Sequence, residues 1–336
     1  VGHHGVQRPW HSCRTGTLEH LSLKKSHGND SGIPTSCLDG ITQLNRLTSL
    51  KLGGQWSGGQ QPLQQFLAQP LPLRQLRLNL KMRLPKLELA HCSQLQDLTI
   101  HTPWNLPKGS TLPLQLQSLV VSSGMASGDQ LAELQLQRLQ QLQYLSLQVA
   151  MTARSLQDLT QLQALRHVAL VYCTADDAEV SAEAWQQLPQ LHELSITYGS
   201  GDTPDKDQML AILRGIEGCR SLTELELEVR AVHVEEPEED HFDPEVIEER
   251  VAACRSLSGL TNLQDLRFSA SSQLTAGDAL WLTALTGLAH LDLGGIGEGV
   301  GEMAATAIAC SLRELRFLDL QDCALGDIII IIKLPN

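Results

Sequence analysis

One phrase, Leu-x-x-Leu-x-Leu, recurs along this chain, and its last four residues alternate between apolar and polar. It runs first through Leu18, Leu21 and Leu23, and it starts again at Leu47, Leu73, Leu95, Leu116, Leu142, Leu165, Leu191, Leu222, Leu263, Leu288 and Leu315. Ile100, Val121, Val168, Ile196 and Phe268 stand in for leucine in some copies. Alternation of this kind predicts a short strand with one face buried. Most copies start 21 to 31 residues apart. At such a period no unit can bury its apolar edge alone, so the units must stack.

Ahead of many strands the leucines step backwards by three, as in Leu159, Leu162 and Leu165, or Leu282, Leu285 and Leu288. That step predicts a helical or 3₁₀ return into each strand. Residues 207–214 and 304–309 are good helix formers, so the later repeats should carry true helices. The earlier repeats, interrupted by Pro62, Pro70, Pro72, Pro85, Pro103, Pro107 and Pro113, should return through extended or 3₁₀ segments.

These twelve phrases resemble leucine-rich-repeat proteins over residues 18–325. The resemblance implies an α/β solenoid: a curved horseshoe with a parallel sheet on its concave side and helices or 3₁₀ segments on its convex side. It also implies binding rather than catalysis. The asparagine common at the ninth repeat position is absent; Cys173 and Cys323 occupy that position in two copies. Those two are similar to the cysteine variant of ribonuclease-inhibitor-like and F-box-associated repeats, a resemblance confined to the second half. Two irregularities interrupt the period. The phrase Leu84, Leu87, Leu89 lies too close to its neighbours to be a full repeat and should fall inside one. Between Leu222 and Leu263 the gap widens to hold an acidic insertion at 231–250. Residues 1–17 read as a leader or cut cap and 326–336 as a cut tail, with the run Ile328 to Ile332 expected to lack a cover.

Charge is divided unevenly. Residues 1–168 hold 15 Lys/Arg against 8 Asp/Glu, and residues 169–336 hold 10 against 30. Such polarity favours oriented docking of a protein partner and disfavours nucleic acid, which the acidic half repels. The eight cysteines are scattered singly, a distribution expected of a reducing, cytoplasmic setting. No apolar run is long enough for membrane insertion.

Catalytic chemistry finds no constellation. The glycine loop Gly294 to Gly301 follows a strand and precedes a helical stretch, but it fits neither dinucleotide nor phosphate-loop spacing. His3, His4, His11 and Cys13 match no compact zinc site, and His91-Cys92 is a single pair. Cys173 and Cys323 should be small buried thiols that serve packing. The acidic insertion lacks a calcium-loop pattern and reads as a solvated loop or a docking arm. The expectation is therefore no catalytic, cofactor or metal residue.

The candidate site is a partner-binding concave face. Its expected residues are Lys51 and Arg77 early, Tyr144, His167, Tyr172, His192 and Tyr198 in the middle, and Glu224, Glu226, Glu228 and Asp292 late. The three tyrosines fall on consecutive repeats and would form one patch, a residue type that anchors interfaces. Three fuller identities follow from the resemblance: the recognition half of an F-box ubiquitin-ligase adaptor, the sensor of a nucleotide-binding immune receptor, or a small-GTPase activator.

Overall fold

A computed structural model of the protein describes residues 17–24, 33–57, 59–123, 134–148, 153–171, 178–198, 206–229, 253–269, 275, 277–295, 299–321, 323 and 325. The chain forms two compact units, residues 1–126 and 127–336, and each is built from the leucine phrase.

Among the described residues of the first unit the strands are β1 (His20–Lys24), β2 (Ile33–Pro34), β3 (Ser49–Gly54), β4 (Trp56–Ser57), β5 (Gln75–Leu80), β6 (Asp97–Thr102) and β7 (Ser118–Ser123), with one α-helix, α1 (Gln61–Leu67), and short 3₁₀ helices at Thr35–Leu38 and Ile41–Gln43. β1, β3, β5, β6 and β7 pair in chain order, all parallel, while β2 and β4 form a separate two-stranded ladder. The second and third apolar members of each phrase align across the sheet: Leu50 with Leu76 and Leu98, and Leu52 with Leu78 and Ile100. All six are buried. Burial of each such side chain contributes about 1.5–3 kcal/mol, and because the contact recurs at every strand the apolar pattern fixes the register.

Proline behaves in two ways here. From β5 to β7 the chain returns without a helix, past Pro85, Pro103, Pro107 and Pro113, as the sequence suggested. Pro62 is the exception. It lies at the start of α1, where the backbone N–H it lacks would have had no helical partner, so that repeat has a helix after all. The extra phrase Leu84, Leu87, Leu89 lies inside the β5–β6 repeat as expected. Its leucines are buried, and Glu88 makes a single parallel bridge with Thr111.

The second unit contains β8 (Tyr144–Gln148), α2 (Ala153–Thr160), β9 (His167–Val171), α3 (Ala178–Gln186), β10 (Glu193–Tyr198), α4 (Lys206–Ile216), β11 (Glu224–Val229), α5 (Ala253–Leu257), β12 (Asp265–Ser269), a 3₁₀ helix (Asp278–Ala284), β13 (His290–Asp292), α6 (Gly301–Ser311) and β14 (Phe317–Asp319). β8 to β14 pair in chain order and in parallel. With the five of the first unit this gives twelve sheet strands, one for each phrase.

The three-residue leucine step has a direct structural meaning. The Leu162 amide donates to the Leu159 carbonyl at 2.9 Å, and the Leu165 amide to the Leu162 carbonyl at 3.1 Å. The same tight turns lead through Leu282, Leu285 and Leu288. Each turn brings its leucine inward and hands the chain to the strand. Cys219 takes a leucine's place in this series; its thiol lies 3.4 Å from the Trp185 carbonyl and 3.5 Å from that of Leu188. Helices pack closely behind the strands: a methyl group on Gly215 of α4 would stand 2.6 Å from Trp185 Cβ and 2.8 Å from the Ala182 carbonyl of α3. Only glycine fits that approach.

At the strand ends, other groups do what an asparagine ladder would do. Ser123 Oγ donates to the Trp104 carbonyl at 2.7 Å, and Cys323 Sγ to the Leu293 carbonyl at 3.0 Å. Cys323 is buried, so it has the packing role expected of it. Cys173, the leader, the acidic insertion at 231–250 and the run Ile328 to Ile332 lie outside the described residues.

Candidate functional site

Alternation turns the odd positions of β8 to β14 away from the leucine core, and the parallel register lines them up in rows. The first row reads Tyr144, His167, Glu193, Glu224, Asp265, His290, Phe317. The next, two residues along, reads Ser146, Ala169, Ser195, Glu226, Arg267, Asp292, Asp319. A shallow groove of about 270 Å³ lies on this face, with Tyr144, His167, Glu193, Glu224, Asp265 and Arg267 in its lining.

Contacts order the rows. His167 Nδ1 lies 2.7 Å from Glu193 Oε2, and the Tyr144 ring sits 6.1 Å from the His167 ring. His290 Nδ1 lies 3.9 Å from Asp265 Oδ2, and its ring stacks on Phe317 at 4.2 Å. Arg267 Nε lies 3.4 Å from Asp265 Oδ1, and its Nη1 is 4.0 Å from Glu226. Ser195 Oγ donates to Glu226 at 2.7 Å. The Glu224 carboxyl titrates above the usual carboxylate range, first through desolvation and then through the negative charges of Glu193 and Asp265, with Arg267 and His167 pulling it partly back.

The residues expected from sequence are distributed unevenly over this surface. Tyr144, His167, Glu224 and Glu226 share the groove. Asp292 lies at the outer end of the second row, where its Oδ1 accepts from the Gly294 amide at 3.0 Å. Asp319 does the same for Gln321 at 2.9 Å, so both carboxylates close their own turns. Glu228 sits two places beyond Glu226 on β11, paired with Ser269. His192 is in the turn before β10; its carbonyl accepts from the amides of Thr223 and Glu224, and its ring meets the Gln190 carbonyl at 2.9 Å. Glu193 takes the strand position.

Tyr144 and Tyr198 do not share a register row. Tyr198 pairs with Val229 at the far end of β10, two residues beyond buried Ile196. Tyr144 opens β8, five register places away, about 16 Å along the strand direction at 3.3 Å per residue. Tyr172 lies outside the described residues. Counting parity from Ile196 would have separated Tyr198 from Tyr144 in the sequence itself. The same count marks Glu193, His290 and Phe317, the residues just before the second apolar member of their phrases, as partners of Tyr144; composition alone gives them no distinction. In the first unit, Lys51 and Arg77 are register neighbours on β3 and β5 and both are exposed.

Buried thiols in the second unit are held neutral: burial pushes Cys219 up to about 11, and burial followed by the Asp278 charge raises Cys254 well above the usual thiol range. Among the described residues no three His, Cys, Asp or Glu side chains converge as metal ligands, and no helix is long and apolar enough to cross a membrane.

Known structures share this architecture. An internalin of Listeria monocytogenes, InlF, superposes with a TM-score of 0.54 at 16% identity, over 93% of this chain and 83% of that one. A structure of TLR13 with ssRNA13 gives 0.49 at 18% identity over 92% and 46%, and the plant peptide hormone receptor RGFR1 in complex with RGF2 gives 0.45 at 15% over 90% and 47%. The chain spans about half the length of these last two. No protein-family model matches the sequence, and no curated protein matches it. The internalin likeness identifies the fold as a leucine-rich-repeat solenoid.

Proposed function

We propose that the protein is a non-catalytic binding scaffold, and that the outward strand face of its second unit holds a partner protein. One observation carries this reading. Seven consecutive strands present an ordered series of rings, imidazoles and carboxylates that the core does not use, with Tyr144 39% and Phe317 44% exposed at its ends. A solenoid needs only its inward leucines to fold, so exposed aromatic and charged order on the other side favours recognition.

The acidity of the face supports a protein partner over nucleic acid, since phosphates would meet Glu193, Glu224 and Glu226. Cysteines left unpaired throughout the described residues support a reducing, cytoplasmic location. The buried Cys323 thiol supports the likeness of the second half to ribonuclease-inhibitor-like and F-box-associated repeats.

A photo-crosslinking residue placed at Ala169, in the groove, tests the face against the same residue placed at Glu179, on the helical side. Adducts from position 169 alone are the expected result in a cell extract. Equal yields from both positions, or adducts from 179 alone, overturn the assignment.

A further inference from the structure

The first outward row of the second unit is nearly a mirror image of itself. Running from β8 to β14 it reads ring, imidazole, carboxylate, Glu224, carboxylate, imidazole, ring. On one side Tyr144 lies against His167, which holds Glu193 at 2.7 Å. On the other Phe317 stacks on His290, which lies 3.9 Å from Asp265. Each flanking carboxylate is engaged by the histidine on its far side. Asp265 has Arg267 as well, and Glu226 in the next row has Ser195 and Arg267. The Glu224 carboxylate, exposed at the centre, has no hydrogen bond or ion pair among the described residues; the residue's backbone amide donates to the His192 carbonyl.

Resting on the binding reading above, we propose that this face docks a basic segment of the partner protein, with one arginine or lysine side chain set on Glu224 and apolar side chains on Tyr144 and Phe317. Charge complementarity chooses the occupant. A cation above Glu224 meets that carboxylate directly and has Glu193 and Asp265 one strand away on either side, about 4.8 Å. Desolvation first, and then these two negative charges, raise the proton affinity of Glu224; a fixed organic cation relieves the charge repulsion as a proton would. A bare metal ion fits less well, because no set of ligating side chains converges there among the described residues. Phe317 stacked on His290 and Tyr144 tilted beside His167 offer an apolar platform at each end, a residue type that anchors interfaces.

The spacing defines the segment. Glu224 is three strands from Tyr144 and three from Phe317, about 14 Å each way, which an extended chain covers in about four residues. The probe is therefore a fluorescein-labelled peptide, Leu-Gly-Ser-Gly-Arg-Gly-Ser-Gly-Leu, compared with the same peptide carrying neutral citrulline for arginine. Fluorescence anisotropy with the full chain should give affinity at least about tenfold higher for arginine than for citrulline. Glu224→Gln should abolish that preference, while Glu179→Gln, on the helical side beside Arg214, should leave it intact; both remove one charge, so overall acidity is controlled. Tyr144→Ala and Phe317→Ala should each weaken the arginine peptide several-fold. Equal binding of the two peptides, or equal losses from Glu224→Gln and Glu179→Gln, overturns the proposal. If crosslinking at position 169 persists in that case, the binding face stands and only the basic-segment inference falls.

Discussion

Between β5 and β7 the first unit returns to its sheet through extended, proline-bearing chain, whereas in the second unit every return from β8 to β14 contains a helical segment. From β3 onwards the leucines inside are buried alike in both; in β1, Leu21 and Leu23 are half-buried. The outward faces also differ: the first unit sets Lys51 beside Arg77 among neutral Ser22, Thr99 and Val120, and the second sets carboxylates against histidines. The contrast separates two jobs. Stacking needs only the inward phrase, so the return path and the outward surface vary independently of it.

The sharpest way to break this comparison is to attack the shared core. Leu78→Asp in the first unit and Leu194→Asp in the second each place an unpaired carboxylate at a fully buried site, at a cost of several kcal/mol, comparable to the stability of a whole domain. Loss of the circular-dichroism signal of folded chain is expected for both. A Leu78→Asp variant with an unchanged urea midpoint would mean that the first unit does not depend on its ladder.

The helical returns give the next largest effect. Gly215→Ala should cost about 1–3 kcal/mol through overpacking against α3, whereas Gly40→Ala in the first unit, with nothing within 4 Å of the added methyl and an ordinary φ of −78°, should be neutral or slightly stabilising. Urea denaturation of the two variants checks the asymmetry; equal effects would remove it. Asp278→Ala should cost about 0.5–2 kcal/mol, since its buried carboxylate accepts from the Cys254 amide in the first turn of α5 at 2.8 Å, the service of an N-cap supplied by the next repeat. Faster amide exchange at Cys254 would locate the loss.

The smallest effect concerns the acidic face. Because Glu224 binds its proton more tightly in the folded chain than its ordinary value of 4.5 allows, its contribution to stability is full below that value and is lost as pH rises through the raised one. Glu224→Gln should therefore stabilise the fold slightly at pH 7, by roughly tenths of a kcal/mol at this exposed site, seen as a small rise in the thermal midpoint, and lose the advantage near pH 4. A destabilised variant at pH 7 would show that the carboxylate has a favourable role in the fold.

The phrase, its parity and its three-residue step determined the strands, their buried side and the tight turns through Leu159, Leu162 and Leu165, because side-chain period and local hydrogen bonding are properties of short segments. The helix at Pro62 escaped that reading because proline breaks a helix only inside it, and the position of α1 depends on packing against its neighbours. Parity assigns each outward residue its row, and tertiary structure alone decided the contacts made within it. His192 and Glu193 are adjacent in sequence, yet the amides of Thr223 and Glu224 bind the His192 carbonyl and so put Glu193 in the row with His167 and Glu224. A slip of one residue would have reversed that choice. The order of ring, imidazole and carboxylate around Glu224 exists only once seven strands, drawn from across some 175 residues of sequence, are stacked about 4.8 Å apart.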